Sequence, residues 1–160
     1  MFRRILAILL LCLSTDAGAS LPLQASLGDL ACGADHVLVG RVVGVDMIDQ
    51  RGKPIADPAA RTGPGLTNTI RLKVDVIEVI ESSAVKPPSH LDVPLDPAMH
   101  FSLGQIREAY AEPSDARLVF LRGAAFEPII AGRFFWALRE RDQAMKLRAA
   151  CRKPAATPSL

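Results

Sequence analysis

The chain has 160 residues, 49% of them apolar, and 19 Lys and Arg against 17 Asp and Glu, for a formal net charge of +2. That balance gives no electrostatic reason to expect nucleic acid or an anionic membrane surface as partner. The length excludes all but one ordinary domain once the N-terminal segment is set aside.

That segment has the layout of a secretory signal peptide. Phe2-Arg3-Arg4 is a short basic start, Ile5 to Leu13 is an unbroken apolar run, and Ala17-Gly18-Ala19 is an A-x-A cleavage signal before Ser20. The apolar run is far short of the ~20 residues that span a bilayer, which argues against a retained anchor. Leu9-Leu10-Leu11 before Cys12 is a poor lipobox, and the residues flanking Arg3-Arg4 do not support twin-arginine export. The expectation is cleavage after residue 19 and an exported chain, periplasmic or secreted, with no stable membrane insertion afterwards. Residues 20–152 would then form one domain, and 153–160, with Pro154 and Pro158, a disordered tail.

Cleavage removes Cys12 and leaves Cys32 and Cys151 near opposite ends of the mature chain. An even pair in an oxidising compartment favours a disulfide. Closing a loop of about 120 residues would stabilise by several kcal/mol in the chain-entropy model.

In chain order, Ser26-Leu27-Gly28-Asp29 reads as a helix start, with Ser26 as N-cap and Asp29 three residues on. Leu27, Leu30 and Ala31 give a buried i, i+3, i+4 stripe, and Gly33 is placed to end the helix. From Val37 to Ile48 the period is two, with both faces largely apolar and with Gly40 and Gly44 inside, which suggests strong curvature or close backbone approach. Residues 49–68 form a loop punctuated by Gly and Pro and longer than ordinary hairpin connections. It reads as a mobile surface loop or as a binding loop carrying Arg51, Lys53 and Arg61. In Thr69–Glu81, Ile70, Leu72, Val74 and Val76 alternate with polar residues. The register then slips by one, predicting a β-bulge near Val76–Ile77.

Lys86-Pro87-Pro88 ends that strand. Leu91, Val93 and Leu95 form a short third one that Pro94 confines to an edge. Ser102-x-x-Gln105 is a capping box for a short helix stopped before Pro113. Leu118–Leu121 is wholly apolar and so predicts a central strand; Phe126–Ala131 and Phe134–Leu138 supply the last pairings. From Glu140 the helical period returns, with Ala144, Leu147 and Cys151 on one face. The bases of that helix (Arg139, Arg141, Lys146, Arg148, Arg152, Lys153) read as a solvated face or as a site for an acidic partner.

Laid out this way, Ala34-Asp35-His36-Val37-Leu38-Val39-Gly40-Arg41-Val42 resembles the opening of small exported bacterial domains with an OB-like, netrin-type barrel. Leu72 to Ile80, Leu118 to Leu121 and Gly132 to Trp136 are similar to the later strands of those domains. The resemblance implies a mainly β fold, a small five-stranded OB-like barrel with short flanking helices. A β-sandwich is the alternative. The best-known netrin-type domains inhibit metalloproteinases through an N-terminal cysteine of the mature chain. Here Cys32 lies a dozen residues inside, so the resemblance implies a barrel and not that activity.

No catalytic or ligand-binding motif stands out. There is no G-x-S-x-G elbow and no phosphate-cradling glycine loop, and a disulfide would remove the cysteines as nucleophiles. The sequence therefore points to a non-enzymatic binding module without cofactor or metal. It would contact another envelope or extracellular protein through the 49–68 loop, with Arg51, Lys53 and Arg61 as its binding residues. The alternative is a metal-dependent or hydrolytic periplasmic enzyme using His90, Asp96 and His100, although no pair has the i, i+4 spacing of a zincin.

Overall fold

The computed structural model describes residues 25–83 and 86–152; the expected signal peptide and tail lie outside the described residues. Helix α1 (Leu27–Gly33) opens on Ser26, whose Oγ accepts the Asp29 N–H at 3.1 Å while the Asp29 carboxylate accepts the Ser26 N–H at 2.9 Å. Leu27, Leu30 and Ala31 are its buried residues. Gly33 is the last helical residue and not a left-handed cap; the chain leaves through Ala34 in extended conformation.

Six strands follow: β1 (His36–Ile48), β2 (Thr69–Ser82), β3 (His90–Pro94), β4 (Arg117–Arg122), β5 (Glu127–Pro128) and β6 (Phe135–Ala137). Between β3 and β4 lies α2 (Leu103–Ala109), and after β6 a 3-10 turn, Leu138–Glu140, leads into α3 (Arg141–Arg152). All six strands belong to one antiparallel sheet ordered β3-β2-β1-β4-β5, with β6 also paired to β4. The order β4-β1-β2-β3 is that of a Greek key.

The expected five-stranded barrel is corrected in two respects. There are six strands, and the sheet is not closed, because β3 and β5 are its edges and no ladder joins them. Pro94 on β3 and Pro128 on β5 each remove a donor from those edges. The sandwich alternative fails too, since the strands form one sheet.

The central strands explain the apolar runs of the sequence. Val37, Val39, Leu118 and Phe120 face α1 and α3, while Leu38, Val42, Val119 and Leu121 face the opposite cluster with Leu72, Val74, Leu91, Val93 and Phe134. Both faces of β1 and β4 are thus covered where the two strands pair. A third cluster, Met47, Ile70 and Leu103, joins the far end of the β1–β2 pair to α2.

Gly40 is required by packing. A Cβ there would stand 2.7 Å from Val74 Cγ1 and 3.0 Å from Val119 Cγ2. The β1–β2 ladder slips where Ile77 is passed over, the expected bulge, and again at Ile80 and Val43. Ile77, Val79 and Val43 are 51%, 43% and 43% exposed.

Cys32 and Cys151 are disulfide-bonded, with Cα atoms 5.8 Å apart across 119 residues. The buried residues of α3 are Ala144 and Arg148; Leu147 is only partly buried against the α1 cluster. Arg148 is 2% exposed. Its Nη1 donates to the carbonyls of Ala31 and Ala34 at 2.7 and 2.6 Å, and its Nε donates to Glu81 Oε2 at 2.6 Å. These carbonyls close the C-terminus of α1, whose own last turn has no basic residue, so α3 supplies the cation that a helix end favours. Burial pulls the Arg148 pKa down, with the charge of Asp35 opposing it. Arg152 also pairs with Glu81, and Arg141 grips Glu78 through two bonds of 2.8 and 2.6 Å. The basic helix expected to be solvated or to bind an acidic partner has that partner in β2 of its own chain.

Two stability measurements test these packing arguments. Arg148→Met should lower unfolding stability in urea by about 3 kcal/mol with the disulfide intact, because the α1 carbonyls lose their buried donor. Gly40→Ala should cost about 2 kcal/mol through overpacking. Gly44→Ala, whose Cβ would meet Lys73 at an ordinary 3.6 Å, should stay within about 0.5 kcal/mol of the parent.

Candidate functional site

The connection over residues 49–68 is hydrogen-bonded to the elements on either side of it, β1 and α2. Its first half doubles back on β1: Asp49 Oδ1 accepts the N–H groups of Arg51 and Lys53, both at 2.8 Å, and Ile55 N–H donates to Met47 O at 2.8 Å. The second half caps α2. Pro58 O and Ala60 O accept the N–H groups of Gly104 and Leu103, both at 2.9 Å, two of the orphan donors at that helix start. The Ser102–Gln105 capping box satisfies another. A Cβ on Gly104 would lie 3.1 Å from Pro58 O, so the helix approaches the loop closely at a residue without a side chain. Thr62 is buried, donating its N–H to Phe101 O and its hydroxyl to Met99 O at 2.9 and 2.8 Å. Gly63, with φ of 148°, lies under the His100 ring, where any side chain would collide.

Arg51, Lys53 and Arg61 all stand exposed on this framework. Arg51 and Lys53 flank Gly52 on one turn, whereas Arg61 sits at the short bridge to Ser102. The fold thus joins the first two and sets the third beside α2. None of the three forms an ion pair among the described residues. On the β1–β2 pair, Arg71 donates to both Asp46 oxygens at 2.9 and 2.6 Å and approaches Asp92 at 3.2 Å, and Lys73 reaches Asp46 at 3.3 Å.

The alternative metal set is not assembled. His90 Nδ1 pairs with Asp75 Oδ1 at 2.6 Å on the exposed edge strand. Asp96 Oδ1 accepts the Ala98 N–H at 2.9 Å within a turn, and His100 covers Gly63. Among the described residues, no three His, Cys, Asp or Glu side chains gather to hold a metal ion. The physical reason is separation by topology: His90 lies within the β2–β3 ladder, while Asp96 and His100 follow it in the connection to α2.

Two features escaped the sequence reading. The first is the role of Asp35-His36, which clamps the β4–β5 turn. Asp35 Oδ2 accepts the Gly123 N–H at 2.7 Å, and His36 Nε2 donates to Gly123 O at 3.0 Å. A carbonyl can only accept, so in the neutral ring Nδ1 is the acceptor facing Ser82 Oγ at 2.8 Å. The His36 ring packs on Phe126, ring centroids 4.6 Å apart, and Phe126 holds a left-handed φ of 56°. The signal was the charged Asp35 entering an apolar strand, but its partner lies 88 residues away.

The second is an apolar groove at the open seam of the sheet. Cavities of 460 and 330 Å³ share Leu95 and Ala131. Met99, Phe101 and Ile130 line the larger one. The smaller one lies between Pro94 and Pro128, the ends of the two edge strands.

The Asp46 cluster gives a pH dependence. Burial alone would raise the Asp46 carboxyl, but the hydrogen bond and charge of Arg71, then those of Lys73, hold it below its ordinary value. A depressed folded pKa contributes stability that is present above the unfolded value of about 3.9 and is lost as pH falls through the folded one. Urea midpoints between about pH 5 and pH 2 should therefore fall more steeply for the parent than for Asp46→Asn, the two converging at the acid end. Parallel curves would remove the cluster from the acid response. Set against known proteins, the chain matches no family model, no curated protein and no solved structure.

Proposed function

We propose that this chain is an exported, non-enzymatic binding module with an OB-like barrel plan, engaging another envelope or extracellular protein through the 49–68 loop. The observation that carries the reading is the loop itself: a long connection held by hydrogen bonds to β1 and α2, presenting Arg51, Lys53 and Arg61 exposed and without an ion pair among the described residues. A preorganised loop loses little entropy when a partner arrives. Binding residues concentrate on loops held by a rigid scaffold.

Other observations support the barrel and export parts. OB barrels are partly open Greek keys that bind through the loops between strands 1 and 2 and strands 4 and 5. The Greek-key order of the strands, the approach of β3 to β5 and the clamped 123–126 turn fit that plan. The netrin-type resemblance points the same way. A disulfide belongs to an oxidising, non-cytoplasmic compartment, in keeping with the signal-peptide pattern of residues 1–19. Among the described residues, no helix is long and apolar enough to cross a membrane.

Charge reversal tests the loop without removing its packing. In affinity capture from an envelope extract, the Arg51→Glu/Lys53→Glu/Arg61→Glu variant should retain at most about one tenth of a partner held by the parent chain, as expected for opposed charges at an interface. Its circular dichroism should be unchanged. Equal capture by both proteins would exclude the loop as the binding surface.

A further inference from the structure

We propose that the Cys32–Cys151 disulfide is a redox-sensitive latch on α3, and that its reduction by a dithiol releases this helix from the sheet as a unit. The device is separate from the 49–68 loop and stands or falls without it. Helix α3 is held at both ends. Its N-terminal end is fixed by the chain arriving from β6, where the Trp136 indole N–H donates to Glu140 at 2.6 Å just before the helix begins. Its C-terminal end is fixed by Cys151, the penultimate residue of α3, bonded to Cys32, the penultimate residue of α1. Between these points the apolar attachment is thin. Ala144 is the one buried apolar residue of α3, and Met145 and Leu147 are only partly covered. An alanine removes far less apolar area from water than a leucine or phenylalanine at the same place.

The rest of the attachment is polar. In the Arg141–Glu78 and Arg152–Glu81 pairs the arginine side chains are 40% and 53% exposed, a setting in which ion pairs contribute little and salt screens them. Arg148 is buried, but its seat is incomplete. Its Nη2 is buried without a hydrogen-bond partner among the described residues, so the three bonds made by Nη1 and Nε replace only part of the lost hydration. A helix attached in this way depends on the covalent link that closes its far end. That link is accessible: Cys32 and Cys151 are both exposed, and exposure opens a disulfide to thiol–disulfide exchange. One thiolate of the dithiol attacks a sulfur, breaks the S–S bond and forms a mixed disulfide; the second thiol then closes the donor's own disulfide. Two electrons and two protons pass to Cys32 and Cys151, which become thiols. Release parts Glu78 and Glu81 from their bases and takes the buried donor away from the carbonyls of Ala31 and Ala34. The reduced chain thus presents two unpaired glutamates on a face that α3 covers in the oxidised one.

Amide hydrogen exchange of the purified protein, read peptide by peptide, tests the latch. Dithiothreitol should reduce the disulfide without denaturant. The amides of residues 141–152 should then exchange at least about tenfold faster, as expected when a cross-link is removed from a locally opening unit, while those of β1 and β4 keep their protection. The acceleration should grow between about 0.1 and 1 M NaCl, because the solvent-facing ion pairs are screened, and should reverse on reoxidation. The Cys32→Ser/Cys151→Ser variant should match the reduced parent in both respects and be indifferent to dithiothreitol. Three results would overturn the proposal. One is a disulfide that dithiothreitol reaches only in urea. Another is an α3 that keeps its protection once reduced. The third is loss of protection in β1, β4 and α3 together, which would make the bridge a staple of the whole fold and not a latch on one helix.

Discussion

The architecture depends on how closely three strands meet at Gly40. β1 is paired with β2 on one side and β4 on the other, and at this position Val74 and Val119 approach from both neighbours to within 3.0 Å of where a Cβ would be. The two valines can meet across the strand only because no side chain lies between them. Both belong to the inner cluster, with Leu38, Val42, Leu72 and Leu121. At the ends of the strand order, β3 lies near β5 without a ladder joining them.

The other side of the sheet is closed electrostatically. Glu78 and Glu81 would leave β2 acidic on the face that α3 covers, and Arg141, Arg148 and Arg152 answer them. Arg148 does more than neutralise, since its second arm reaches the terminal carbonyls of α1. One side chain ties two helices and a strand, next to the disulfide that joins the same two helices. A buried guanidinium is costly to desolvate, and here three hydrogen bonds offset part of that cost while Nη2 is buried without a hydrogen-bond partner among the described residues. Three bases of α3, Arg141, Arg148 and Arg152, are thereby occupied within the chain.

Local signals were legible in the sequence. The alternation in Thr69–Val76, the two capping boxes, the glycine demand at position 40, the bulge at Ile77 and the Cys32–Cys151 pairing all rest on residues whose chemistry needs few or no distant partners to be read. What stayed hidden depends on contacts far along the chain. Arg148 sits four residues after Ala144 on the buried stripe, yet an arginine there reads as solvated until Glu81, 67 residues away, comes into view. Ile77 and Val79 continue the apolar pattern, yet they stand exposed, while Glu78 and Glu81 pair with bases of α3. Whether a curled sheet closes is decided by hydrogen bonds between β3 and β5, and no local pattern specifies them. The groove is invisible for the same reason, since its walls come from residues 95–101 and 130–133.

The loop and the groove are parts of one structure. Strands β1 and β3 run in the same direction, so the connection leaving β1 and the connection leaving β3 start at the same end of the sheet. There the first connection supplies the carbonyls that cap α2, and the second supplies the carbonyls that receive Thr62. Neither segment has a regular partner of its own; each satisfies the backbone of the other, as buried polar groups require. The side chains left over from this exchange are the ones that face outward: Arg51, Lys53 and Arg61 on one segment, Met99 on the other. The backbone of this surface is hydrogen-bonded within the chain, and these side chains are not used to satisfy it. That combination, and no single residue, is why the binding reading belongs at this end of the sheet.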